Sequence, residues 1–221
     1  MKWNKAAANA MVTYRARLAL GYAEEPRRPR VFCASLADWL DDEVPVEWLA
    51  DLLQLIADTP ELDWLLLTKR PESWEARIME CMHASRLAVD WINGKAPANV
   101  WIGTTVEDQE RADERIPALL KIPARVRFLS CEPLLGPVDF SRGGCAAWMG
   151  MIDWVICGGE SGPKARPADL DWFRSLRDQC KAAEVAFFMK QLGGTRSHHG
   201  DLSDFPEDLR VREFPGGKEG A

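Results

Sequence analysis

No stretch of this 221-residue chain is apolar for long enough to cross a bilayer, and its mean hydropathy is −0.25. The opening residues Met1-Lys2-Trp3-Asn4-Lys5 lack the apolar core of an export signal, so the expected location is cytoplasmic. The six cysteines contain no C-x-x-C pair, so neither a zinc site nor an iron–sulfur site made within this chain is expected. In a chain without an export signal those thiols are expected to stay reduced. Positive charge is also scarce: 28 Lys and Arg face 34 Asp and Glu, for a net charge of −6. That balance argues against non-specific nucleic-acid binding by bulk electrostatics. The three histidines, His83, His198 and His199, fall at expected surface positions. G-x-S-x-G, H-E-x-x-H, P-loop and G-x-G-x-x-G motifs are missing as well.

What the chain does have is a series of short apolar runs, each ending in a polar cluster. Phe32-Cys33-Ala34-Ser35 leads to Asp38, Trp64–Leu67 to Thr68-Lys69-Arg70, and Val100–Gly103 to Thr104-Thr105-Val106-Glu107. Val126–Leu129 leads to Ser130-Cys131-Glu132, and Trp154–Cys157 to Gly158-Gly159-Glu160-Ser161. Ala186–Met189 leads less cleanly to Lys190-Gln191. Continuous apolar strands suit a parallel sheet covered on both faces. Chemistry in such folds collects where strand C-termini meet loops.

Between the strands the apolar spacing becomes helical. An N-terminal helix is expected over 1–25, ended by Pro26 and Pro29. Further helices are expected from Pro45, from Ser73 to Asp90, from Asp108 to Leu120 with a break at Pro117, and over 169–183. Strand and helix alternating in this way predict an α/β fold, a partial or complete parallel β/α barrel of about six units. Residues 134–151 hold Gly136-Pro137, Gly143-Gly144 and Gly150 and predict a loop over the rim, the usual place for a lid. Residues 1–194 are expected to form one barrel-like domain, and 195–221 a polar tail that is mobile unless Leu209, Val211 and Phe214 dock.

Side chains alternate in direction along a strand, which sorts the rim residues by face. Phe128, Ser130 and Glu132 share one face of their strand, and Leu129 and Cys131 the other. Ile156, Gly158 and Glu160 share a face opposite Cys157 and Gly159, unless a bulge at the glycines reverses the order. Cys131 and Cys157 should then face the helices and be structural. Glu107, Glu132 and Glu160 form a candidate catalytic set with Lys190 as counter-charge, able to act in acid/base chemistry, oxygen ligation or ribose binding. Ser35, Asp38, Thr68, Lys69, Arg70, Thr105, Ser130, Gly158, Gly159, Ser161 and Gln191 are candidate ligand contacts. Lys69 and Arg70 suit a phosphate, carboxylate or nucleotide. Paired glycines at 158–159 would let a ligand approach the backbone closely. The alternative for all these charges is a structural ion-pair network.

The ordered blocks Val31–Asp38, Leu66–Pro71, Asn99–Glu107, Arg127–Pro137, Gly158–Gly162 and Lys190–Gly194 resemble a phage- and prophage-associated family of uncharacterised, radical-SAM-like barrel proteins. The resemblance runs over roughly 30–215 and implies a TIM-like β/α barrel. It also implies an N-terminal segment of closely spaced cysteines for a [4Fe–4S] cluster. No residue here matches that segment, so the chain is expected to be truncated or cluster-less and inactive as a radical enzyme. The expected ligand is anionic or nucleoside-like, with S-adenosylmethionine a candidate cofactor and no metal assigned. A phage protein partner, in a non-catalytic interaction or nucleic-acid-processing accessory role, is the alternative.

Overall fold

A computed structural model of the chain describes residues 12, 13, 16, 19, 20, 28–33, 37–142, 146–194 and 201–216. In chain order its strands are β1 (Arg30–Cys33), β2 (Asp63–Thr68), β3 (Val100–Thr105), β4 (Val126–Cys131), β5 (Trp154–Gly158) and β6 (Ala186–Gln191). The helices are α1 (Val46–Asp58), α2 (Trp74–Glu80), α3 (Arg86–Ile92), α4 (Gln109–Leu119), α5 (Ala146–Met149) and α6 (Leu170–Ala182). The strands make one six-stranded parallel sheet ordered β1-β2-β3-β4-β5-β6. An order that follows the chain is that of a barrel wall; a doubly wound sheet reverses at a switch point. The fold is therefore α/β and compatible with a partial barrel.

The chain divides into two compact units, 1–102 with 122–125, and 103–121 with 126–221. In the first, Leu49, Leu52, Leu53 and Ile56 bury one stripe of α1 at helical spacing. On β2, Trp64, Leu65 and Leu66 are all buried, as a strand covered on both faces requires. Trp91 of α3 stacks on Trp39, with ring centroids 6.2 Å apart, and meets Trp74 edge-on at 5.6 Å.

The helix expected over 73–90 is two helices. The chain turns over Cys81–Ala84, and the Ser85 hydroxyl oxygen caps α3 by accepting the Ala88 N–H. Pro117, expected to break its helix, lies inside α4, which runs on to Leu119. Proline there removes the one donor to Asp113 O, and only two helical residues follow it. Of the expected N-terminal helix, Val12, Thr13, Ala16 and Ala19 are helical, and the rest lies outside the described residues apart from Leu20, whose N–H donates to Ala16 O.

In the second unit the two faces of the sheet have separate tasks. Phe128, Trp154 and Phe188 meet on one face, joined by Phe214 from the C-terminal segment, with centroids 5.3–5.9 Å apart. Cys131, Cys157, Phe187 and Met189 are buried on the other, and α6 contributes buried Phe173, Leu176 and Cys180. Gly103 leaves room for the Phe128 ring, which a Cβ would overlap. Within 134–151, Val138 and Phe140 are buried, and the Gln179 amide of α6 donates to Val138 O at 2.9 Å and accepts from Phe140 N at 2.7 Å. That stretch is fastened to a helix.

The C-terminal segment 201–216 docks on β6. Met189 N donates to Val211 O, Glu213 N donates to Phe187 O, and Phe188 bridges to Arg212 in antiparallel sense. Phe205 and Leu209 are buried, and Asp208 accepts hydrogen bonds from Arg174 and Arg177 of α6. The docking apolar residues are thus the expected Leu209 and Phe214 together with Phe205, while the expected Val211 takes part through its backbone carbonyl.

Candidate functional site

At the end of β2 the polar residues hold one another. Asp38 Oδ1 accepts from Thr68 Oγ1 at 2.7 Å and from Leu40 N at 3.0 Å, and Oδ2 accepts from Lys69 N at 2.7 Å. Thr68 Oγ1 in turn accepts from Arg70 N. The Arg70 guanidinium lies 2.7 Å from Asp41 and 3.8 Å from Asp38. Asp41 titrates below the usual carboxylate range, chiefly because it accepts the Glu43 N–H and also because Arg70 is beside it. Asp38 therefore organises the loop through backbone contacts, and Arg70 is held by two carboxylates. Lys69 is exposed, and Ser35 lies outside the described residues.

In the second unit each of the three expected glutamates has its own cation. Lys190 Nζ lies 2.7 Å from Glu132 Oε2. Glu107 Oε2 accepts from Arg115 at 2.8 Å, and Arg115 also donates to Thr105 O. Both side chains of this pair are nearly buried, at 12% and 13% exposure. Glu160 accepts a two-point fork from Arg166, at 2.8 and 3.2 Å, and also the Arg166 backbone N–H. The fork first, and then that N–H, bring the Glu160 carboxyl down to about 2. Lys190 is thus the counter-charge of Glu132 and not of the whole set.

The glycines have a structural occupation. Gly158 faces Glu132 and Gln191, so it shares a side with the Glu132–Lys190 pair. A Cβ on Gly159 would run into the Leu192 carbonyl group and Gly193 Cα, and one on Gly193 into Glu160 O. Hydrogen bonds fasten the same two loops together: Gly159 N to Gln191 O, Gly194 N to Glu160 O, Gly162 N to Gly194 O, and Gln191 Nε2 to Gly159 O. The close approach expected of a ligand is made by residues 191–194. Ser161 is exposed at the bridge to Gly194, while Thr105 and Ser130 are buried.

The β5–β6 register skips a residue: Cys157 pairs with Met189 and Gly158 with Gln191. Lys190 is therefore the extra residue of a bulge on β6, next to the expected shift at the glycines. Arg115, Arg166 and Arg212 are the partners that the sequence reading missed. For Arg115, the signal was its position eight residues after Glu107, on a helix that begins two residues past that glutamate.

The family model described as a protein of unknown function (DUF5131) matches residues 2–215. The chain belongs to that family. No curated protein and no solved structure matches it. Burial pushes the Cys131 and Cys157 thiols of this DUF5131 chain well up and Cys180 to about 12. Among the described residues no three His, Cys, Asp or Glu side chains group so as to hold a metal ion. None of the described helices is long and apolar enough to cross a membrane.

Proposed function

We propose that this DUF5131 protein binds a small anionic or nucleoside-like ligand at the C-terminal ends of β4, β5 and β6. Lys190 meets the ligand's anionic group and Glu132 its hydroxyl or ammonium groups. The observation that carries this is the Glu132–Lys190 pair itself. It spans 2.7 Å at the strand ends, with the lysine side chain 52% exposed and the glutamate 16%. Its donor is thus accessible and its acceptor partly desolvated, the combination in which a charge-assisted contact to ligand is worth most. Glu107 and Glu160, each closed by an arginine, take supporting roles.

The ordered sequence blocks extend the proposal to a radical-SAM-like, TIM-like barrel of phage association in a cytoplasmic setting. They make S-adenosylmethionine the first ligand to try, since it joins a ribose diol to an ammonium and a carboxylate. Isothermal titration calorimetry of the chain against S-adenosylmethionine tests this. Binding should weaken about tenfold or more in Lys190→Ala, the loss of one hydrogen bond to a charged group. Glu160→Ala, with its carboxylate closed by Arg166, should weaken it less. Absence of heat up to millimolar ligand removes the proposal. It would then favour the non-catalytic interaction or accessory role, with which the arginine-closed Glu107 and Glu160 also agree.

A further inference from the structure

We infer that Arg212, on the C-terminal segment, is a positioning residue that sets Lys190 against Glu132. The inference rests on the proposed role of that pair. Lys190 is the bulge residue of β6, so its backbone has no regular partner on β5. A bulge re-aims the side chain it carries, and its freed carbonyl needs another donor. Arg212 supplies that donor: Nε gives to Met189 O and a terminal nitrogen to Lys190 O, both at 3.1 Å. A planar guanidinium can bridge two successive carbonyls in this way, whereas an ammonium is a single point charge. The guanidinium itself is flanked by the rings of Phe188 at 5.2 Å and Phe205 at 5.7 Å.

The backbone beneath Arg212 is also fixed. Val211 and Glu213 hydrogen-bond to Met189 and Phe187, and Trp154 Nε1 donates to Glu213 O. Alternation from Phe188 already puts Lys190 on the Glu132 side, and the bulge, with its clamp on the Lys190 carbonyl, brings Gln191 onto that side next to Gly158. Residues near the C-terminus thereby help build a site formed by strands β4 to β6.

Amine labelling with acetic anhydride, followed by peptide mass spectrometry, tests the inference without any ligand. The rate at Lys190 is read against Lys181 of α6, in wild type, Arg212→Met, Arg212→Lys and Glu132→Gln. Glu132→Gln releases the amine outright and should raise Lys190 labelling about two- to fivefold, the span for an exposed ion pair. Arg212→Met should reach at least half that rise, and Arg212→Lys should lie between it and wild type. A merely structural Arg212 would lower the melting temperature and leave the Lys190 to Lys181 ratio unmoved; that result overturns the inference. If Arg212→Met does not fold, Arg212→Lys decides by the same ratio. A changed ratio without S-adenosylmethionine binding sinks the proposed ligand and leaves the positioning role standing.

Discussion

An added Cβ at Gly159 would overlap the Leu192 carbonyl oxygen and lie 2.8 Å from its carbon, both backbone atoms that cannot swing aside. Gly159→Ala is accordingly expected to cost about 2 kcal/mol or more through forced separation of the two loops. Gly162 is the control. Its φ of 123° disfavours any side chain, yet a methyl there would meet nothing within 4 Å, so Gly162→Ala should cost about 1 kcal/mol of backbone strain. Urea denaturation of both variants ranks them, and equal or reversed losses would mean that the loops are not interlocked. The sequence made Gly158-Gly159-Glu160-Ser161-Gly162 conspicuous without giving the reason. Two glycines before a carboxylate look alike whether a ligand or a neighbouring loop comes close. Only the packing of 191–194 distinguishes them. Arg166 was similarly hidden, because a loop between two prolines, Pro163 and Pro167, gives no periodicity from which its direction could be read.

Elements were legible wherever burial imposes a period. Buried strands read as continuous apolar runs, and α1 and α6 as stripes. The turn at 81–84 was not legible, since it contains neither proline nor glycine and the apolar spacing continues through Ile78, Cys81 and Leu87. Its one signal was Ser85, three residues before the Ala88 N–H that it caps. The C-terminal segment illustrates the other limit, because its hold on α6 is ionic and has no period. Asp208 accepts from both Arg174 and Arg177, and those hydrogen bonds lower its titration range. Asp208→Asn should therefore loosen the segment locally. Amide exchange should quicken at Met189 and Glu213, which donate across the segment–β6 contact, while Ile156 in β5 exchanges at its wild-type rate. High salt should shrink the difference by weakening the wild-type contact. Unchanged exchange at Met189 and Glu213 would show that the apolar anchors Phe205 and Leu209 hold the segment unaided.

At the scale of the molecule, the strand order follows the alternation of elements in the sequence, because each helix-bearing crossover returns the chain beside the strand it has just left. The same distribution of groups sets the pH range of stability. Glu160, with its carboxyl near 2 against an ordinary 4.5, and Asp208, also lowered, both have depressed folded values. Their contribution is fully present above about pH 4.5 and is lost as pH falls toward 2, because the unfolded chain takes up protons first. The buried thiols behave in the opposite sense. Cys180 is raised from an ordinary 9 to about 12, and Cys131 and Cys157 are raised well above 9, by burial first of all. Their contribution is complete below pH 9 and is lost as pH climbs toward 12, since only the unfolded chain can release those protons. Each such thiol adds a slope of up to about 1.4 kcal/mol per pH unit. Urea denaturation under a non-thiol reductant should give a plateau between about pH 5 and pH 8.5, falling on both sides. Cys180→Ala should lower the plateau through the cavity it leaves and also make the alkaline fall shallower. Parallel alkaline limbs for variant and wild type would mean that the Cys180 thiol ionises as readily in the folded chain as in the unfolded one.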